Sequence, residues 1–523
     1  MKLPTPNQMK HIDEIAINEY KIPGMILMEN AALHVVKAAK KILKEYNLKK
    51  VVVIAGKGNN GGDAFAIARH LMEHFDVTVI SLAKPDEVTH DSAVFLNILD
   101  NLDANIIYCT EADLVKDIIT IMESSDLIID GIFGTGIHGD ITGLYASVIC
   151  AINESRKKVI SVDIPSGING ETGQVCNVAV KADKTVTFSL PKVGLFQYPG
   201  REYAGDIVIA DISIPSGAIE KVNILGELMD DSFIKPHILK RPKDGHKGTF
   251  GKILIITGSE GMTGAGMLSA LSAFKSGSGL VYLAVPQSLA TIYSVTIPEA
   301  IVLPLKDKDG AISDESIGFL LNKAEEMDAV VLGPGLSTKP KVEKLVNDFV
   351  ENCRTPLVID ADALNVLNLN ILQKREHPTV ITPHPGEFAR LCNCDILDVQ
   401  QDRVNRAIEF SKQMNVICVL KGAGTVIACP DGKYYINTTG HHSLAVAGSG
   451  DVLAGMIGSF LGLGLHTEIA ACIGVFLHGK CGEVLAQKNN GQAGYRASEI
   501  CSVIPLVVGE LNPEDCALSI TFG

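Results

Sequence analysis

A chain of 523 residues is longer than one hydrophobic core ordinarily serves and predicts two or more domains. With 46% hydrophobic and 20% charged residues it has the balance of a water-soluble globular protein, and a net charge of −14 argues against nucleic acid or an anionic membrane as its main partner. The 12 cysteines include no C-x-x-C pair, and Cys392 and Cys394 lack the neighbours of a zinc site, so free thiols in a reducing cytoplasm are expected.

Residues 1–20 are polar and charged, unlike a signal peptide. Apolar residues recur at helical spacing over 8–16 and 25–46, with Pro23-Gly24 as the break between them. Short β-rich runs follow at 51–55, 77–82, 106–108, 127–129, 159–162, 185–188 and 207–209. Helical patterns lie between most of them, as at 64–74 and 92–102. This alternation predicts an α/β domain, a parallel sheet covered on both faces, with ligands at the carboxyl ends of its strands.

Those ends carry the unusual residues. The first runs into Gly56-Lys57-Gly58-Asn59-Asn60-Gly61-Gly62-Asp63, which contains G-x-G-x-x-G. The next strand ends in Ser81-Leu82-Ala83 and not in an acid, which argues against a hydride-transferring dehydrogenase. Amides and a carboxylate in Asn-Asn-Gly-Gly-Asp instead suit a ribose, a phosphate or a cation. Two further strands end in Asp130-Gly131-Ile132-Phe133-Gly134-Thr135-Gly136 and Asp163-Ile164-Pro165-Ser166-Gly167. Three such turns on neighbouring strands make a site. Asn60, Asp130 and Ser166 offer only oxygen, which suits an alkali cation better than zinc. Asp163 is left as the acid/base candidate, and Lys192 reads as a surface lysine as readily as a site residue.

Pro215-Ser216-Gly217, followed by a stretch of weak strand character, puts a boundary near 217–230 and gives domains 1–217 and 226–523. Strand patterns resume at 252–257, 280–285, 329–332, 357–359, 379–381 and 416–420. The helix opened by Gly258–Gly266 is rich in small residues, and no G-x-x-x-x-G-K-[ST] occurs, so a P-loop is excluded. The strand ends here are Gly333-Pro334-Gly335-Leu336, Asp360-Ala361-Asp362-Ala363-Leu364-Asn365, Thr382-Pro383-His384-Pro385-Gly386-Glu387 and Lys421-Gly422-Ala423-Gly424-Thr425. Then comes Ala447-Gly448-Ser449-Gly450-Asp451, ahead of an apolar run over 452–465 read as a buried helix and not a membrane span. Small residues at a helix start expose amides to a phosphate, and Asp451 sits where it can take a proton from an attacking hydroxyl. Alone, that stretch is equally a capped helix. The neighbouring strand ends favour phosphoryl transfer.

With Met28-Glu29-Asn30-Ala31-Ala32 added to its three strand ends, the first half resembles the NAD(P)H-hydrate epimerase domain, which is Rossmann-like. The resemblance implies that Asn59, Asn60, Gly61, Gly62, Asp63, Gly134, Thr135, Gly136, Ile137, His138, Gly139, Asp140 and Asp163 contact a hydrated cofactor. It also implies that Asn60, Asp130 and Ser166 surround K⁺. Together with His246-Lys247-Gly248, the motifs of the second half resemble the ribokinase-like NAD(P)H-hydrate dehydratase domain. That likeness implies substrate contacts at Ala265, Gly335, His384 and Asp451, and nucleotide contacts at Lys421, Gly422, Ala423, Gly424, Thr425 and Gly450. Gly440-His441-His442-Ser443-Leu444 departs from the family's pattern.

The expectation is therefore a repair pair acting on hydrated NADH and NADPH (NADHX and NADPHX). One half interconverts the R and S forms at C6. The other dehydrates the S form at the expense of ADP, giving AMP and phosphate, with ATP as the competing donor and Mg²⁺ accompanying the nucleotide. A cytoplasmic homo-oligomer is expected. The competing reading is a ribokinase-type small-molecule kinase whose first domain binds a regulatory ligand.

Overall fold

Val51 to Ala55 are apolar and almost wholly buried, as a strand covered on both faces requires. They belong to β1 (Lys50–Ala55), followed by β2 (Asp76–Ser81), β3 (Asn105–Tyr108), β4 (Leu127–Gly131), β5 (Lys158–Val162), β6 (Lys184–Phe188) and β7 (Asp206–Ala210). The computed structural model describes residues 1–111, 114–137, 139–242 and 244–511. The chain divides into a unit Lys2–Gly226 and a second that starts at Glu227 and also takes in Met1.

In the first unit the strands form one sheet in the order β3-β2-β1-β4-β5-β6-β7, every neighbouring pair parallel. Helices α1 (Pro6–Asn18), α2 (Gly24–Glu45) and α3 (Asn59–Leu71) share one apolar cluster with one face of this sheet, and the helices Val115–Ser124 and Gly143–Ser155 share another with the opposite face. Thr5 starts α1 through a reciprocal cap with Gln8, and the helix buries Met9, Ile12, Ile15 and Ala16 at helical spacing. Strand order reverses between β1 and β4, so the loops after them part and leave a crevice. The three strand ends singled out in the sequence belong to β1, β4 and β5, which are neighbours.

The helix expected over 64–74 starts earlier: the Asn-Asn-Gly-Gly-Asp segment is the first turn of α3 itself. Its glycines allow this packing: a Cβ on Gly61 would lie 1.8 Å from the Gly56 carbonyl oxygen, and one on Gly62 would lie 2.4 Å from Ser92 Oγ.

The second unit carries β8 (Gly226–Met229), β9 (Lys252–Ile256), β10 (Leu280–Pro286), β11 (Ile301–Leu305), the small pair β12 (Asp307–Lys308) and β13 (Ala311–Ile312), β14 (Ala329–Leu332), β15 (Leu357–Ile359), β16 (Thr379–Ile381), β17 (Ile417–Leu420), β18 (Val426–Ala428) and β19 (Tyr434–Asn437). Its main sheet runs β11-β10-β9-β14-β15-β16-β17-β18-β19-β8, parallel from β11 to β17 and antiparallel across β17-β18-β19. Both units are thus mainly parallel α/β sheets. Strands β8, β11, β18 and β19 lie outside the sequence expectation. Three are only three or four residues long, and β11 is an edge strand containing Pro304.

The helix Ser449–Gly462 is nearly all buried, and its glycines set how closely it packs. A Cβ on Gly455 would lie 2.1 Å from the Ser269 carbonyl oxygen, and one on Gly458 would lie 2.3 Å from Val331 Cγ2. Among the described residues, Thr467–Lys488 is the one helix long and apolar enough to cross a membrane. It packs within the second unit's core, burying both flanks of the helix from Ala470 to Ala486.

Candidate active sites

A cavity of about 860 Å³ opens beside the carboxyl ends of β1, β4 and β5 in the first unit. Asn59, Asn60 and Asp63 of α3 line it, as do Gly134, Thr135, Gly136, Ile137 and Asp163. Among the described residues, Gly61, Gly62, Gly139 and Asp140 are not on its lining, and His138 lies outside the described residues.

Asp163 follows β5 with φ +66°, a left-handed backbone that is uncommon outside glycine. Its Oδ1 accepts hydrogen bonds from Lys192 Nζ at 2.5 Å, Thr187 Oγ1 at 3.1 Å and the Phe188 amide at 3.2 Å. Lys192 is no surface lysine. It is 1% exposed and also donates to Thr187 Oγ1 and the Phe188 carbonyl. Asp63 is buried in the same group, and burial together with the charges of Asp163 and Asp13 raises its pKa well above the carboxylate range.

Asp13 went unnoticed in the sequence. It projects from α1 onto the cavity, and burial, against the pull of Lys192, raises its pKa to about 7. Its one sequence signal was a carboxylate one position after buried Ile12 on an amphipathic helix.

Below the cavity, Asp130 is fully buried and accepts from Ser161 Oγ, the Ser166 amide and Oγ, and the Ile132 amide, at 2.5–3.3 Å. Burial raises its pKa in spite of these bonds. Asn60 Nδ2 donates to the Phe133 carbonyl, and the Phe133 amide donates to Ser166 Oγ. Asn60 Oδ1 is turned toward Gly134, 3.5 Å from where a Cβ there would stand. Asn60 and Ser166 therefore meet at the Phe133 backbone, and Asp130 joins them through Ser166. The Met28–Ala32 motif packs mainly on α3: Met28 sits against Gly62 and Glu29 accepts from Arg69 and His70, while Asn30 Nδ2 donates to the Ile212 carbonyl.

In the second unit the strand order reverses between β9 and β14, and the loops there are tied together: Thr257 Oγ1 donates to the Pro334 carbonyl and Ser259 Oγ to that of Gly335. Gly335, at φ +65°, lies against Ala265; a Cβ on it would be 3.0 Å from that of Ala265. The helix Thr263–Lys275, which carries Ala265, is joined to the helix of Asp451 by Ser269 Oγ donating to the Asp451 carbonyl.

Gly448 caps the helix Ser449–Gly462 at φ +90°, a conformation suited to glycine, and Asp451 stands in the first turn. Lys421 Nζ donates to Asp360 Oδ1 at 3.0 Å, lies 3.8 Å from Glu387 Oε2, and faces Gly450 closely enough that a Cβ there would be 3.3 Å away. Asp360 and Glu387 thus flank one ammonium, whose charge also acts on Asp451. Burial and the charge of Asp360 raise Asp451 to about pKa 7. Burial likewise raises Glu387, and the two acidic neighbours of Lys421 outweigh its own burial and raise it.

Lys421 to Thr425 is the connection of the β17-β18 hairpin, held by Thr425 Oγ1 donating to the Gly422 carbonyl and by buried Arg403 donating to that of Lys421. His384 caps the helix Pro385–Cys392: its Nδ1 accepts from the Gly386 and Glu387 amides, while the side chain stays half exposed. His478, unforeseen inside an apolar helix, bonds Ser449 Oγ at 3.1 Å, and burial lowers its pKa to about 4, so it is neutral at pH 7. In the divergent segment, His441 Nδ1, Ser443 Oγ and Tyr495 OH form a hydrogen-bonded chain.

Residues 24–194 match the family model described as YjeF-related protein N-terminus, and residues 253–506 match that described as NAD(P)H-hydrate dehydratase. The bifunctional NAD(P)H-hydrate repair enzyme of Moorella thermoacetica is 37% identical over 520 residues, 98% of each chain. That of Dictyoglomus turgidum is 36% identical over 98% of this chain and 99% of its own, and that of Escherichia coli 33% identical over 88% and 85%. Among solved structures, the ADP/ATP-dependent NAD(P)H-hydrate dehydratase of Bacillus subtilis, co-crystallised with ATP and Mg²⁺, is 31% identical with a TM-score of 0.48, covering 55% of this chain and 99% of that one. Near-full-length identity to relatives carrying both activities settles the assignment: the chain belongs to the bifunctional NAD(P)H-hydrate repair enzymes, epimerase and dehydratase on one polypeptide.

Proposed function

We propose that the first unit interconverts the R and S forms of hydrated NADH and NADPH at C6 in the cavity of Asp163, and that the second dehydrates the S form at the site of Asp451. The observation that carries the second assignment is Asp451 in the first turn of a glycine-capped helix beside Lys421. Hydroxide is a poor leaving group from C6. Asp451 takes the proton of the C6 hydroxyl as its oxygen attacks the terminal phosphate of the nucleotide, and the first-turn amides face the developing charge. Phosphate then departs, pushed by the ring nitrogen, and loss of a proton from C5 restores the dihydropyridine.

The donor in this reading is ADP, yielding AMP and phosphate, as the resemblance implies, with ATP as the alternative. The hairpin Lys421–Thr425 and Gly450 would hold it, and Ala265, Gly335 and His384 would hold the substrate. Mg²⁺ fits here, since Asp360, Glu387 and Asp451 against one lysine leave a surplus of negative charge that would otherwise repel a polyphosphate.

K⁺ fits the first unit by its donor set: the Asn60 amide oxygen, the Asp130 carboxylate, Ser166 and the Phe133 carbonyl are all oxygen. Bound there, the ion would supply fixed positive charge under the substrate, and the residues themselves shape the loop that carries Gly134 to Ile137. A cytoplasmic homo-oligomer completes the proposal.

The test is to incubate the full chain with mixed epimers of hydrated NADH and either ADP or ATP, following absorbance of the regenerated dihydropyridine. Complete conversion with AMP and phosphate as products is expected with ADP. A stable phosphorylated product would favour the small-molecule kinase instead. In buffer free of K⁺ the slow phase, which depends on epimerisation, should lengthen severalfold and recover when K⁺ is restored; an unchanged slow phase removes the cation from the scheme.

A further inference from the structure

Inverting C6 by exchange of its hydroxyl needs two proton transfers. The departing oxygen must gain a proton, and the water arriving on the opposite face must lose one. A single carboxylate beside one face cannot serve both without moving across the ring. Asp163 reaches the cavity from a strand end, where Lys192, Thr187 and the Phe188 amide hold its Oδ1. Asp13 reaches the same cavity from α1, an element that none of the sequence motifs touches. Among the described residues, none of the three groups that hold Asp163 donates to the Asp13 carboxyl.

We propose that Asp13 is the second catalytic carboxyl of the epimerase, acting on the face of C6 that Asp163 does not serve. This rests on Asp163 as the acid/base of the same site. In one direction Asp13 gives its proton to the C6 hydroxyl; the C6–O bond breaks with its electrons going to oxygen, water leaves, and the lone pair of N1 forms the C6–N1 double bond. A water on the other face then gives a proton to Asp163 as its oxygen bonds to C6, and the electrons of the double bond return to N1. The proton has passed from Asp13 to Asp163 and returns through the water of the cavity. The opposite inversion runs the same steps with the two carboxyls exchanged.

The surroundings of Asp13 suit the role. Facing it are Asp63 of α3, Asp163 and Lys192, with Lys10 and Glu14 on its own helix and Lys57 and Asp91 also on the lining. Burial among these groups brings its pKa to about 7, where a carboxyl both gives and takes a proton readily.

The test uses the full chain without nucleotide, measuring R-to-S and S-to-R rates above the spontaneous rate. D13N is expected to lower kcat about 10²- to 10³-fold with KM within about twofold. Its nucleotide-driven dehydration of pure S epimer should stay at the wild-type rate. The wild-type pH–rate profile should carry a limb near pH 7 that belongs to Asp13, and D13N should lose that limb. In water labelled with ¹⁸O, the wild-type enzyme should place one labelled oxygen on C6 per inversion, a result independent of how any variant folds. If D13N epimerises within about threefold of wild type while D163N is inactive, Asp13 is overturned and Asp163 stands. Full activity of D163N overturns both. Inversion that retains the original oxygen overturns the two-carboxyl exchange.

Discussion

Replacing Asp451 by Asn is expected to lower kcat for nucleotide-driven dehydration by about 10³-fold, with KM for the hydrated cofactor nearly unchanged. Asn keeps the shape of the first turn and the Ser269 bond to the main chain, so the loss isolates the proton acceptor. Epimerisation, read as R-to-S conversion without nucleotide, should be unaffected. The wild-type kcat/KM should rise with pH and level off above about 7, because only the ionised carboxylate can accept the proton, and burial with the charge of Asp360 holds its pKa near that value. Asp360→Asn removes that negative neighbour and releases Lys421 toward Asp451, so the limb should move to lower pH. Stability gives an independent check. The native state holds the Asp451 proton up to about pH 7 while the unfolded chain releases it near the ordinary carboxylate value, so native stability declines with rising pH across that window. At neutral pH D451N therefore escapes a cost that the wild type bears, and its melting temperature should equal or exceed the wild type's. An inactive variant that is also less stable would mean that Asp451 holds the fold and does not drive the chemistry.

Glycine-rich strand ends advertise themselves locally. Asp130-Gly131, Asp163 to Gly167 and Gly448 to Asp451 each combine a strand or helix boundary with a polar residue, and strand order brings β1, β4 and β5 side by side. What sequence reasoning missed comes from residues whose neighbours in the chain say nothing of their neighbours in space. Asp13 lies on an ordinary amphipathic helix, and only the packing of α1 beside the strand ends turns its carboxyl into the cavity. His478 sits in a helix that reads as uniform core and meets Ser449 only because the two helices pack. The same limit explains β18 and β19: three or four buried residues with no alternation cannot be told from loop. It also explains the glycines of α3, which the motif suggests are for a ligand and which packing uses to admit Gly56 and Ser92. His384 stands between the cases, since Pro385 at the first helical position marks it as a cap while its half-exposed ring remains available to a substrate.

Lys192 was the residue on which the sequence was evenly divided, and its burial makes the sharpest demand on the first unit. An ammonium that is 1% exposed needs every proton satisfied, and Asp163, Thr187 and the Phe188 carbonyl do this. Lys192→Met fills the same volume but leaves the Asp163 carboxylate with a lost partner and two carboxyls, Asp13 and Asp63, still beside it. Breaking one side of a buried pair costs about 3–5 kcal/mol when the remaining charge is sealed in. Asp163 is 15% exposed on an open cavity, where water screens it, so a loss of about 2 kcal/mol is expected in the unfolding transition of the first unit. Epimerisation should fall about 10²-fold or more, because Asp163 is no longer held in position and the carboxyls around it retain protons to higher pH. The double variant D163N/K192M separates the two effects. It should recover most of the lost stability, since neither charge remains, and recover none of the activity. If Lys192→Met alone left both the melting transition and the epimerisation rate unchanged, the pair would be an incidental contact, and the acid/base role of Asp163 would have to stand without its lysine.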